Sequence, residues 1–187
     1  MNRYIDDKKS IKNLFIDSTV IENQNCNEEL GFHYKIKNKK SIKVTTIVTE
    51  DLITVASVVG PSNETDISFV EPCINQLSNR IKGLYRDPVY LVADKGYISE
   101  QLKQSLKTNN VILVTPKRKN AKNKNLPRKH KILLKFRFKV EQSYAHLKRG
   151  CRRLKMVFER KIKNYKTFLM LGIIYRLVDY LVTKKII

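Results

Sequence analysis

The chain has 187 residues, 42% hydrophobic and 29% charged, which fits one globular domain with a sizeable core and excludes a disordered or fibrous chain. Its 38 Lys and Arg against 17 Asp and Glu leave a formal charge of +21, so a polyanionic partner is expected, nucleic acid ahead of an anionic membrane surface. Cys26, Cys73 and Cys151 lie far apart and form no Cys-x-x-Cys or Cys/His cluster, which argues against a disulfide framework or a zinc site and for a reducing, cytoplasmic compartment.

In chain order, NLFIDSTVI (Asn13 to Ile21) reads as a short buried strand carrying Asp17. The polar stretch from Glu22 to Lys40 is turn-like, with Gly31 as its bend. SIKVTTIVT and LITVASVV, joined at Glu50 and Asp51, predict an antiparallel hairpin. GPSNETD (Gly60 to Asp66) is a loop whose end caps a helix over Ile67 to Leu77. A strand from Val89 to Ala93 stops on Asp94, Lys95 and Gly96, where glycine allows a tight turn. SEQLKQSLKT predicts a helix with Ser99 as N-cap, and VILVT (Val111 to Thr115) another strand.

The segment from Lys117 to Lys131 carries Lys117, Arg118, Lys119, Lys122, Lys124, Arg128, Lys129 and Lys131 and no acid. It reads as a solvated loop that can clamp a nucleic-acid backbone. A long helix is expected from Lys131 to about Lys155, where Leu133, Phe136, Val140, Tyr144, Leu147, Cys151 and Leu154 recur at spacings of three and four. The apolar run from Thr167 to Val182 is too short to span a bilayer and carries Arg176 and Asp179, so it is expected to be a largely buried core or interface helix. His33, His130 and His146 show no ligand spacing.

Three strands followed by alternating helices and strands match an α/β fold of RNase H-like order: a mixed sheet flanked by helices, with an apolar C-terminal helix. One domain over residues 1–187 is expected, with a core of about 14–155 and a last helix of about 165–184. In an open α/β sheet ligands gather beyond the strand ends, where Asp17 and Asp94 would meet. Two such carboxylates repel each other unless a cation separates them, and Mg²⁺ suits oxygen ligands. Arg137, Glu141 and Lys148, four and seven residues apart, share one helix face beside the apolar stripe, so Glu141 is the candidate third ligand.

IDST around Asp17, VADKGY around Asp94 and FRFKVEQSYAHLKR around Glu141 resemble the catalytic motifs of DDE transposases of bacterial insertion sequences. The last is similar to their Y-x2-R-x3-E-x6-K signature, with Arg137, Glu141 and Lys148 in the R, E and K positions and Leu134 where the family has tyrosine. The resemblance implies that Asp17, Asp94 and Glu141 hold two Mg²⁺, for which Mn²⁺ can substitute. It implies in-line attack by water or a DNA 3′-OH on a phosphodiester, without a covalent enzyme–DNA intermediate. Lys148, Arg137 and Arg149 would contact phosphates, with Lys95 and the basic loop adding non-specific affinity.

The expected partner is double-stranded DNA, both element ends and target, bound by a homodimer in the cytoplasm or at the nucleoid, away from membranes. Such enzymes carry an N-terminal helix-turn-helix domain, whereas here only about a dozen residues precede the first strand. The chain is therefore expected to be a truncated or split product, or recognition of the ends to have been lost or supplied by another polypeptide. The alternatives are a relic that binds DNA without cutting it, and a metal-dependent nuclease without strand transfer.

Overall fold

The computed structural model describes residues 12–37, 39–80, 88–118, 120 and 125–184. The strands are β1 (Asn13–Asn23), β2 (Gly31–His33), β3 (Lys39–Thr49), β4 (Thr54–Pro61), β5 (Val89–Val92), β6 (Val111–Val114) and β7 (Met156–Val157). The helices are α1 (Val70–Arg80), α2 (Glu100–Thr108), α3 (Arg128–Lys135), α4 (Phe138–Gly150) and α5 (Ile162–Thr183). The β-branched runs form the long strands because both faces of the sheet are covered and such side chains pack well on a pleated surface.

The central strand is β1. It runs antiparallel to β3 from Leu14↔Thr49 to Glu22↔Ser41 and parallel to β5 from Asn13↔Tyr90 to Phe15↔Val92. β3 carries β4 antiparallel on its other edge, with β2 beside its first residues, and β6 extends β5 in parallel. Three antiparallel strands followed by two parallel ones make a mixed α/β sheet, as the order of apolar runs predicts.

Strand alternation divides the core in two. Leu14, Ile16, Leu91, Ala93 and Leu113 face α1 and α2 and pack with Cys73, Leu77, Leu102 and Leu106. Phe15, Ile21, Val92 and Val114 face the other way, against Val140, Tyr144 and Leu147 of α4 and Tyr165, Leu169 and Ile173 of α5. Ser99 accepts a hydrogen bond from Leu102 N at 3.2 Å and caps α2 as expected.

Several boundaries depart from the sequence reading. The polar stretch after β1 holds a three-residue strand, and Gly31 begins it rather than bending it; a Cβ there would overlap Asn63. A 3-10 turn over Asp66–Phe69 precedes α1, which starts at Val70 rather than Ile67. The single helix expected from Lys131 to Lys155 is broken into α3, α4 and a final 3-10 turn over Arg152–Lys155. At the first break Phe136 N and Arg137 N donate to Leu133 O and Leu134 O, three residues back, which overwinds the chain and re-aims α4. Leu133, Val140, Tyr144, Leu147 and Leu154 keep the apolar stripe, but Phe136 faces solvent and Cys151 is only half-buried.

Arg128, Lys129 and Lys131, expected in the basic loop, lie on α3, and Lys129 Nζ sits 3.7 Å over the Tyr90 ring. α5 starts at Ile162 and buries one side through Ile162, Tyr165, Leu169 and Ile173. Its other side, with Leu171, Ile174, Tyr175 and Val182, is exposed, so the helix is half rather than largely buried. No described helix is long and apolar enough to cross a membrane.

Candidate active site

The β1–β5 register fixes the floor of the site. Phe15 and Val92 are ladder partners and point to the α4–α5 face. Two residues on, alternation returns to that face, so Asp17 and Asp94 stand side by side. Asp94 lies beyond the last residue of β5, but its extended backbone (φ −78°, ψ 176°) continues the alternation. The ladder between the two strands ends at Phe15 and Val92, before either carboxylate is reached.

Glu141 enters from the third side, in the first turn of α4, where the positive end of the helix favours a carboxylate. The break before α4 places Arg137 at its N-cap position, and the guanidinium reaches into the middle of the group. Arg137 Nη1 is 3.7 Å from Asp17 Oδ2, 3.9 Å from Asp94 Oδ2 and 3.5 Å from Glu141 Oε1. The side chains grade from Asp17, 22% exposed, through Asp94 at 47% to Glu141 at 59%, so the cluster opens from the sheet toward solvent. Burial holds the Asp17 carboxyl above its ordinary value. The Ser18 amide, 2.9 Å from Oδ1, and Arg137 pull it back, while Asp94 and Asp66 push it further up.

Two buried tyrosines tie the other motifs to β1. Tyr144 of α4 donates to the carbonyl of Asp17 at 2.9 Å, and its oxygen also lies 2.7 Å from the carbonyl of Val44. Tyr97, in the 3-10 turn after Asp94, hydrogen-bonds Ser18 Oγ at 2.8 Å, and Ser18 Oγ meets Thr45 Oγ1 at the same distance. Burial raises both phenols, so each stays neutral. Tyr144 is thus the core residue its position in the stripe predicts, and also a direct anchor of Asp17.

Sequence reasoning missed one buried pair. Lys43, 5% exposed inside β3, donates to the Glu64 carbonyl at 2.5 Å and pairs with Asp66 Oδ1 at 2.8 Å. A lysine amid the β-branched residues of SIKVTTIVT is the signal that could have found it, because an unpaired buried ammonium is costly. The other Asp66 oxygen would stand 3.3 Å from a Cβ at Gly96, whose φ is not in the left-handed region. Gly96 is therefore placed by close approach of a carboxylate, not by the turn expected from sequence.

Of the basic candidates, Arg137 and Lys148 reach the site. Lys148 Nζ lies 3.2 Å from Thr19 Oγ1, two residues past Asp17, and burial lowers its pKa. Lys95, Lys117, Arg118 and Arg149 are exposed, while Lys119, Lys122 and Lys124 lie outside the described residues. Leu134, where tyrosine was expected, packs against the α4–α5 side of the core.

As arranged, no group of three or more His, Cys, Asp or Glu among the described residues is close enough to hold a metal ion. The donor set nevertheless fits a hard divalent cation: three carboxylates, no thiolate or imidazole, already gathered round one positive atom.

Comparison with known proteins gives this geometry a family. Residues 8–177 match the family described as "Transposase DDE domain". The chain belongs to the transposase DDE-domain family. It is 30% identical over 121 residues to a putative transposase for insertion sequence element IS402 of Burkholderia cepacia, covering 63% of this chain and 53% of that protein. This DDE-family chain thus spans about half the length of that curated relative. A chain of the piggyBac transposase synaptic complex with hairpin DNA, solved by cryo-EM, shares the fold at a TM-score of 0.51 and 12% identity, over 87% of this chain and 44% of that one.

Proposed function

We propose that the chain is the RNase H-like catalytic domain of a transposase that cuts and joins DNA strands with divalent cations, and that Asp17, Asp94 and Glu141 are the cation ligands. The observation that carries this reading is the gathering of all three carboxylates within 3.9 Å of one guanidinium nitrogen, from three elements far apart in sequence. Family membership supports DNA as the substrate class. An assembled acidic cluster favours an active enzyme over a DNA-binding relic, because decay would leave these charges free to drift.

Bound Mg²⁺, or Mn²⁺ in its place, supplies activation of a water or 3′-hydroxyl nucleophile and stabilisation of the leaving oxygen. The residues of this chain do the rest. Asp17 and Asp94 form a floor fixed by strand register, and Glu141 closes the side. Lys148, held toward β1 by Thr19, offers a cation to a strand phosphate, and the exposed Lys95 and Arg149 can add others. Recognition of particular element ends and assembly of two subunits on them belong to the same proposal and need base readout that phosphate contacts do not supply.

The test is nicking of supercoiled plasmid in Mg²⁺ or Mn²⁺. Asp17→Asn, Asp94→Asn and Glu141→Gln each keep the side-chain shape and remove a ligand charge, so each should abolish cleavage while circular dichroism stays native. Wild-type cleavage by any one of them would remove that residue from the site.

A further inference from the structure

We infer that Arg137 is a built-in counter-cation that holds the acidic cluster together without metal, and that divalent ions displace it onto the DNA backbone. This rests on the ligand assignment proposed above and adds an order of events to it.

Four observations point this way. Three carboxylates packed together repel, and among the described residues Arg137 is the one basic group with a charged atom within 4.0 Å of all three. Its contacts, 3.5 to 3.9 Å, are longer than the roughly 2.7–2.9 Å of a direct charge-assisted hydrogen bond. The guanidinium is therefore centred among the carboxylates rather than clamped to one, and no single strong bond resists its removal. Its place in the helix is also a poor one for a cation: the N-cap position faces the positive end of α4, and the side chain makes no cap hydrogen bond. Arg137 is thus held there by the carboxylates, not by the helix.

The side chain is 29% exposed, so a path to solvent is open. A divalent ion carries twice the charge of the guanidinium and accepts closer oxygen contacts, so cation and Arg137 compete for the same oxygens. Once released beside the loaded site, the planar fork matches the geometry of a phosphate. Arg137 is thereby a positioning residue. It keeps the empty site folded and then couples metal loading to strand binding.

The experiment is a Mn²⁺ titration of the full 187-residue chain by electron paramagnetic resonance, paired with unfolding temperatures in EDTA. Wild type is compared with Arg137→Ala, Arg137→Gln and Asp94→Asn. Arg137→Ala should bind Mn²⁺ about threefold or more tighter, the direction expected when several partly exposed ion pairs no longer compete. It should also unfold at a lower temperature in EDTA and regain the difference in excess Mn²⁺. Arg137→Gln, which keeps the length and hydrogen-bonding capacity, should shift Mn²⁺ affinity the same way and serves if the alanine variant does not fold. Unchanged or weaker Mn²⁺ binding in the folded Arg137 variants, with Asp94→Asn still impaired, would overturn the inference and leave the ligand assignment standing. Wild-type Mn²⁺ binding by Asp94→Asn would overturn the ligand assignment, and the inference with it.

Discussion

Asp17, proposed above as a cation ligand, costs stability where it stands. Its carboxyl is held above the ordinary value of 3.8, first by burial, so the folded chain binds a proton more readily there than the unfolded chain does. Stability therefore falls as pH rises through the window between the two values, and the cost is complete above the folded one. Asp17→Asn should accordingly raise the unfolding temperature of the metal-free protein at neutral pH. The gain should shrink as pH is lowered toward 3.8, which calorimetry across pH would reveal. A lower unfolding temperature at neutral pH would mean that the pairing with Arg137 outweighs burial. Asp17, Asp94 and Glu141 were legible as candidates because each sits in a short motif on a readable element. The pairing of Lys43 with Asp66 was not, because it joins residues whose neighbourhood exists only once β3 and the loop after β4 have folded together.

Elements were legible where composition was one-sided. The β-branched runs gave β1, β3, β4, β5 and β6, and the charge-flanked stretch opening on Ser99 gave α2. The break between α3 and α4 was not legible, since neither Gly nor Pro marks it and the stripe of Leu133, Val140 and Tyr144 passes through it undisturbed. Yet that break sets where α4 begins, and with it the approach of Arg137 and Glu141. The Tyr144 hydroxyl, bonded to carbonyls on both β1 and β3, ties α4 to the sheet beside the site. Tyr144→Phe leaves those buried acceptors short of a donor and should destabilise the protein by about 1–3 kcal/mol. Chemical denaturation should show a lower midpoint with an unchanged slope. A midpoint equal to wild type would mean that other donors replace the hydroxyl.

At the scale of the whole molecule, the +21 charge sets the affinity for any polyanion. Binding to random duplex DNA should weaken steeply with salt. Replacing the exposed Lys117 and Arg118 by alanine should flatten the log–log slope by up to about 0.9 for each phosphate that is no longer neutralised. An unchanged slope would place the DNA elsewhere on the surface. Charge was the most legible property and the least specific, since it names a class of partner and no site. The site itself depends on three carboxylates meeting across the sheet. The most direct measurement is therefore anomalous diffraction from crystals soaked in Mn²⁺. A peak is expected among Asp17, Asp94 and Glu141, with Arg137 moved out. Manganese found only elsewhere, with Arg137 still between the three carboxylates, would refute the assignment of these residues as cation ligands.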